Sequence, residues 1–226
     1  MPDPRGWASI EENTSPATFR RAAVHGLLSK WLNMCNSYLA DNPTCPISQT
    51  NLLLFHLISL NSITNFPEIE KYARGQGQNG PQENENRIYV PGETLYHCAE
   101  VIQLVQAMPA DRRPVWWSAA IYRVALILWT FSMIRPNLAS QQDPENESSM
   151  FMDNGELIGE SSWAFMWKNT ATVILTGPNG TTLGLEEPSA ILDYAESMVR
   201  QGIVTRFDGG IKRKLDCMNH LWHNGT

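Results

Sequence analysis

Five histidines, four cysteines and one arginine set in an apolar run are the side chains of this 226-residue chain best able to do chemistry. A metal site needs ligands that converge, yet His25, His56, His97, His220 and His223 lie far apart in sequence except for the last two. His220-x-x-His223 can place two imidazoles on one helical face, but the pair alone defines no site, and a frayed C-terminal surface is the expectation. Cys35, Cys45, Cys98 and Cys217 are scattered without close pairing, which predicts reduced thiols and neither a disulfide framework nor a zinc site. Nucleophile elbow, P-loop and dinucleotide-binding turn are all missing. Gly75-x-Gly77 stands in a polar run with no strand-turn-helix context. Glu68 and Glu70 read as the acidic start of a helix, which complements its dipole, and no aspartate-rich magnesium-diphosphate motif occurs.

Arg123 is the remaining candidate. It sits near the middle of an apolar stretch from Trp116 to Ile134 that is of membrane-spanning length. A central arginine is costly in a bilayer, and Pro114 and Pro136 bracket the stretch as helix punctuation. The run therefore reads as the buried central helix, 114–134, of an all-helical domain. Inside such a helix Arg123 must pair, snorkel or line a cavity, and pairing with a carboxylate or a helix C-terminus is the plain reading. Gripping an anionic effector or a partner's carboxylate is the sharper one. Trp31, Trp116, Trp117 and Trp129 read as core aromatics first and cavity walls second.

The elements that would position these residues are legible from periodicity and punctuation. Ser15 and Pro16 open a helix reaching Leu39, closed by Pro43 and Pro46; Ser48 caps a second from Asn51 to about Ile63. Pro67 opens a short turn of helix, Glu68 to Arg74, before a Gly- and Asn-rich loop from Gly75 to Asn86. Pro91 starts a helix whose Leu95, Cys98, Val101, Ile102, Val105 and Met108 share a face. Val173–Leu175 and Thr181–Leu183 flank Gly-Pro-Asn-Gly, a hairpin signal. Pro188 starts a helix that Gly202 ends, and a last helix runs from about Asp208 to Trp222. The fold class is all-α, an irregular multi-helix bundle with one small β-hairpin near 173–183. Its expected organisation is a disordered N-terminus over 1–14, a helical core over 15–135, an acidic loop or linker over 136–162, and the hairpin with the C-terminal helices of the same domain over 163–226.

A formal net charge of −6 denies the chain an overall positive field for nucleic acid. Basic residues gather only at the end, where Arg200, Arg206, Lys212, Arg213 and Lys214 face Asp208 and Asp216; a solvated helix face is the plain reading. The first residues show no signal peptide, so an intracellular protein is expected.

Three stretches resemble the fungal-specific transcription factor domain, the middle homology region of fungal zinc-finger-type regulators: Asn51 to Glu70, Arg113 to Trp129 and Thr205 to Leu215. The resemblance covers about Ser15 to Trp222 and looks like the C-terminal half of that domain. It implies a nuclear, non-enzymatic regulatory domain that meets other transcription-regulatory proteins, a second copy of itself or a small-molecule effector. No cofactor is expected in this chain; zinc would belong to a separate DNA-reading module, so neither DNA nor membrane contact is expected here. Tyr122, Arg123 and Trp117 on the central helix, with Arg206, Lys212 and Arg213 near the C-terminus, are the candidate contacts for an effector or partner. The loss of upstream helices would leave apolar surface bare on the helices near Asn51 and Trp116, with self-association as the consequence. The rival expectation is a helical enzyme or ligand-binding protein with Arg123, Tyr122 or His97 converging on an enclosed pocket.

Overall fold

The computed structural model describes residues 16–76, 88, 90–139, 149–151, 172–176, 182–202 and 205–223. In chain order these form α1 (Pro16–Asp41), α2 (Pro46–Ile63), α3 (Phe66–Ala73), α4 (Pro91–Ala107), a 3-10 turn (Ala110–Arg112), α5 (Trp117–Ala139), β1 (Ser149–Phe151), β2 (Thr172–Thr176), β3 (Thr182–Gly184), α6 (Pro188–Arg200) and α7 (Arg206–His223).

Proline opens most of the helices. Pro16, Pro46, Pro67, Pro91 and Pro188 lie in the first turns of α1, α2, α3, α4 and α6, where a missing N–H costs nothing and φ is already helical. Side-chain caps are absent from α2, α3, α4 and α6. The helix α7 is the exception: Asp208 accepts the Thr205 N–H at 2.9 Å while Thr205 Oγ1 accepts the Asp208 N–H at 3.2 Å, a reciprocal capping box. Two expectations change here. Pro46 opens α2 instead of closing α1, and Ser48 lies buried within the first turn of α2 instead of capping it.

The apolar run does form the centre. From Trp117 to Ser132 every residue of α5 is buried except Ala119 and Arg123, which are half-buried. Packed around it are α3, α4, α6 and α7, while α2 leans on α4 and α1 on α2. Leu126, Ile127, Leu128 and Trp129 of α5 join Leu53 of α2, Ile69 of α3, Leu95 and Ile102 of α4, Leu192 of α6 and Leu215 of α7 in one core. Each such side chain withdrawn from water stabilises the fold by roughly 1.5–3 kcal/mol before entropy is counted. No helix among the described residues is long and apolar enough to cross a membrane.

Pro136 does not end α5, which continues to Ala139. Three residues from a helix end, proline removes one interior hydrogen bond but need not stop the final turn. The hairpin forms with Ile174, Leu175 and Thr176 opposite Gly184, Leu183 and Thr182. One strand was not foreseen. Ser149–Phe151, inside the stretch expected as an acidic loop, pairs in parallel with Thr172–Ile174. Residues 140–148 and 152–162 of that loop, residues 1–14, the glycine-rich segment from 77 to 87 and the Gly-Pro-Asn-Gly turn lie outside the described residues.

Candidate functional site

The residues expected to converge do not. Arg123 Nη1 donates to Asn61 Oδ1 at the end of α2, and its guanidinium lies 4.7 Å over the Phe66 ring at the start of α3. Among the described residues its partners are thus an amide and a π face, and no carboxylate: the charge snorkels to a polar edge of the helix. Tyr122 points elsewhere, donating its hydroxyl to Glu70 Oε1 at 3.2 Å. Burial and then the Glu70 charge push its phenol well above the usual tyrosine range. Trp117 is buried, its ring under the Arg113 guanidinium at 4.8 Å and tight against Gly202. It supports the core and presents no contact face.

The C-terminal basic residues divide in two. Lys212 Nζ lies 3.4 Å from Glu196, which Arg200 also grips. Lys214 reaches Glu70 at 3.6 Å and covers the Tyr122 ring at 5.1 Å. Glu70 also takes Arg74 at 2.7 Å, so it gathers three donors; burial works to raise its carboxyl, and Arg74, Lys214 and Tyr122 together hold it below the usual range. Arg206 and Arg213 remain exposed, with no ion pair among the described residues. His220 donates from Nδ1 to the Asp216 carbonyl at 2.8 Å, and among the described residues no group of three histidine, cysteine or acidic side chains could hold a metal ion.

Two arrangements emerge that spacing alone did not reveal. His56 on α2 and His97 on α4 are both buried, with their Nδ1 atoms 2.8 Å apart, so one ring donates and the other accepts. The outer nitrogens face carboxylates: His56 Nε2 lies 3.9 Å from Glu100, and His97 Nε2 3.7 Å from Glu93. Burial, and then the His97 charge, depress His56 well below the usual imidazole value, so it is neutral near pH 7. Signals existed in the sequence. His56 interrupts the apolar run of α2, and Glu93, His97 and Glu100 recur at helical spacing on α4.

The second arrangement is a cleft of about 200 Å³ between α5, α6 and α7. Trp129, Met133, Pro188, Leu192 and Trp222 line it together with the polar Ser189 and Asn219. Trp129 is therefore both core residue and cavity wall. Trp222 is pinned, since Nε1 donates to the Ala73 carbonyl at 3.1 Å and its ring meets Trp129 and Tyr72 with centroids 5.0 and 5.4 Å apart. Asn219 is held by Asp193 at 2.7 Å. The lining is mostly apolar, with two polar side chains. The cleft suits one ring or one bulky side chain.

Fold and side chains thus define a predominantly helical domain with a buried His56–His97 pair and an apolar-walled cleft. Over nearly its whole length the chain is a relative of fungal transcription factors. It is 36% identical to a transcription factor of Zymoseptoria tritici over 215 residues, 87% of this chain and 22% of that one. Transcription factor PfmaH of Pestalotiopsis fici is 36% identical over 206 residues, covering 88% and 21% of the two chains. Transcription factor 1 of Elsinoe fawcettii is 32% identical over 219 residues, covering 93% and 23%. The chain thus spans about a fifth of the length of these relatives. No family model matches it, and no solved structure does. The relationship agrees with the domain resemblance carried by the three stretches of sequence.

Proposed function

We propose that this chain is a non-catalytic regulatory domain of a fungal transcription factor, acting in the nucleus through contacts with other regulatory proteins or a small effector. The observation that carries this reading is its relationship, over about nine-tenths of its length, to proteins named as transcription factors. In this reading a separate zinc-bearing module reads DNA; the pairing of Lys212 with Glu196 and Lys214 with Glu70, which leaves Arg206 and Arg213 unpaired on α7 among the described residues, supports a minor part for this chain in DNA contact. The cleft beside Trp129 and Trp222 supports contact with a bulky apolar group.

The test is to tether the chain to an unrelated DNA-binding domain at a reporter promoter in a fungal host. A change in transcription of several-fold is expected, and it should be lost when Leu192→Trp fills the cleft. An inert reporter, with the fusion folded and present in nuclei, would refute the reading. Tight, steeply salt-dependent binding of the untethered chain to duplex DNA would refute the division of labour.

A further inference from the structure

The α1–α2 pair of helices meets the rest of the domain chiefly along one seam. Helix α1 has its main packing on α2, and α2 packs mainly on α1 and α4. Leu53, Leu57 and Leu60 of α2 join the core, and helical spacing puts His56 on the same face among them. His56 therefore meets His97 of α4 in the seam itself, Nδ1 to Nδ1 at 2.8 Å. Phe55 stands edge-on to both imidazoles, with ring centroids 4.9 and 5.9 Å away. The far end of α2 is held by other means. Asn61 accepts from the Arg123 guanidinium of α5, and Thr64 pairs with Ile88 in an isolated bridge. That end is tied by groups that do not titrate near neutrality, whereas the stretch before it is held across a pair that does.

We infer that the His56–His97 pair is a proton-operated latch on this seam: acid frees α1 and α2 together from α4, turning on the Asn61–Thr64 end of α2. The latch holds while the inner nitrogens share one proton, since one ring then donates and the other accepts. When both rings are charged each Nδ1 carries a proton, and two N–H groups cannot face each other at 2.8 Å. The rings must part, and α2 carries α1 with it. The charged groups beside the pair are Glu100, 3.9 Å from His56, and Glu93, 3.7 Å from His97, both on α4. The Tyr96 ring of α4 lies 5.8 Å from His56. On α5, Arg123 and Tyr122 are engaged elsewhere, by Asn61 and Glu70, and no charge on α1 perturbs His56. Burial, and then the His97 charge, hold His56 below the usual imidazole range while the seam is closed. The open arrangement therefore binds one proton more, and opening grows as pH falls below about 6.5. Glu100, pushed up by burial, opposes this at lower pH.

Native-state hydrogen exchange of the whole chain, read by mass spectrometry and corrected for the intrinsic pH dependence of amide exchange, tests the latch. Parted from the core, α1 and α2 lose the packing that keeps their helices formed, so their amides report the opening. It should rise about eightfold between pH 7.0 and 5.5, the gain for one histidine released to a pKa of about 6.5. It should also depend less on urea than the exchange of α5, which needs the whole core to unfold. His56→Leu combined with His97→Leu should cut the rise to under about twofold, and if that variant does not fold the wild type still decides. A pH-independent opening of α1 and α2, equal protection and urea dependence in α2 and α5, or a folded double variant that keeps the full rise would each overturn the proposal.

Discussion

Gly202→Ala should destabilise this protein, although the same change usually does the opposite. Where the backbone tolerates an L-residue, replacing glycine restricts the unfolded chain and adds about 0.4–1 kcal/mol of stability. At Gly202 a methyl group would fall inside the van der Waals surface of Trp117 Cζ2, and within 3.2 Å of Cε2 and Cη2. Trp117 has little room to retreat. It is buried, Arg113 covers its ring at 4.8 Å, and its own N–H is bonded to the Pro114 carbonyl at 2.8 Å. Overpacking of this kind costs about 1–3 kcal/mol and outweighs the entropic gain. For a chain of this size, that net loss lowers Tm by several degrees, at roughly 2–4 °C per kcal/mol. Urea unfolding of wild type, Gly202→Ala, Trp117→Phe and the double variant measures the interaction directly. Phenylalanine lacks the fused ring that the methyl group strikes, so the double variant should be more stable than the sum of the single losses predicts, by about 1 kcal/mol. A neutral or stabilising Gly202→Ala, or an additive cycle, would refute the account of this contact.

Other expectations follow from the buried pairs and the cleft. Because His56 is depressed well below its unfolded value of 6.5, the unfolded chain takes up a proton that the native one refuses, so stability should fall as pH drops below about 6.5. Glu100, pushed up by burial, works in the other direction at lower pH, and the combined change His56→Leu and His97→Leu should flatten the loss between pH 6.5 and 5.5 in urea melts. Trp222→Ala deletes the bond to Ala73 and two ring contacts; a loss of about 2–3 kcal/mol is expected by chemical denaturation, and a loss under about 0.5 would mean the ring is not pinned. Thr205→Ala breaks the capping box of α7 and should cost about 1 kcal/mol, with hydrogen exchange accelerating first in the opening turn of that helix.

Local pattern was a good guide to helices and a poor guide to partners. Proline at the start of a turn, apolar residues at three- and four-residue steps, and a run too greasy to face water are properties of neighbours in sequence, and they located α4, α5, α6 and the hairpin. The same local logic misplaced Pro46 and Pro136, because a proline near either end of a helix looks alike in sequence whichever side the helix lies on. Ser149–Phe151 was invisible as a strand, since its pairing energy comes from residues 172–174 more than twenty positions away.

The amino-acid sequence by itself determined that this chain folds as helices around one apolar rod, because burying that rod is the largest gain open to it. It also determined the relationship to fungal transcription factors. Tertiary structure alone decided what each polar group is for. It gave Arg123 to Asn61 and Phe66, matched His56 with His97 across 41 positions, set Trp222 against Ala73 across 149, and left the Leu27–Met34 face of α1 uncovered. Such pairings depend on how helices cross in space, and crossing is set by the packing of the whole core, which no window of sequence contains.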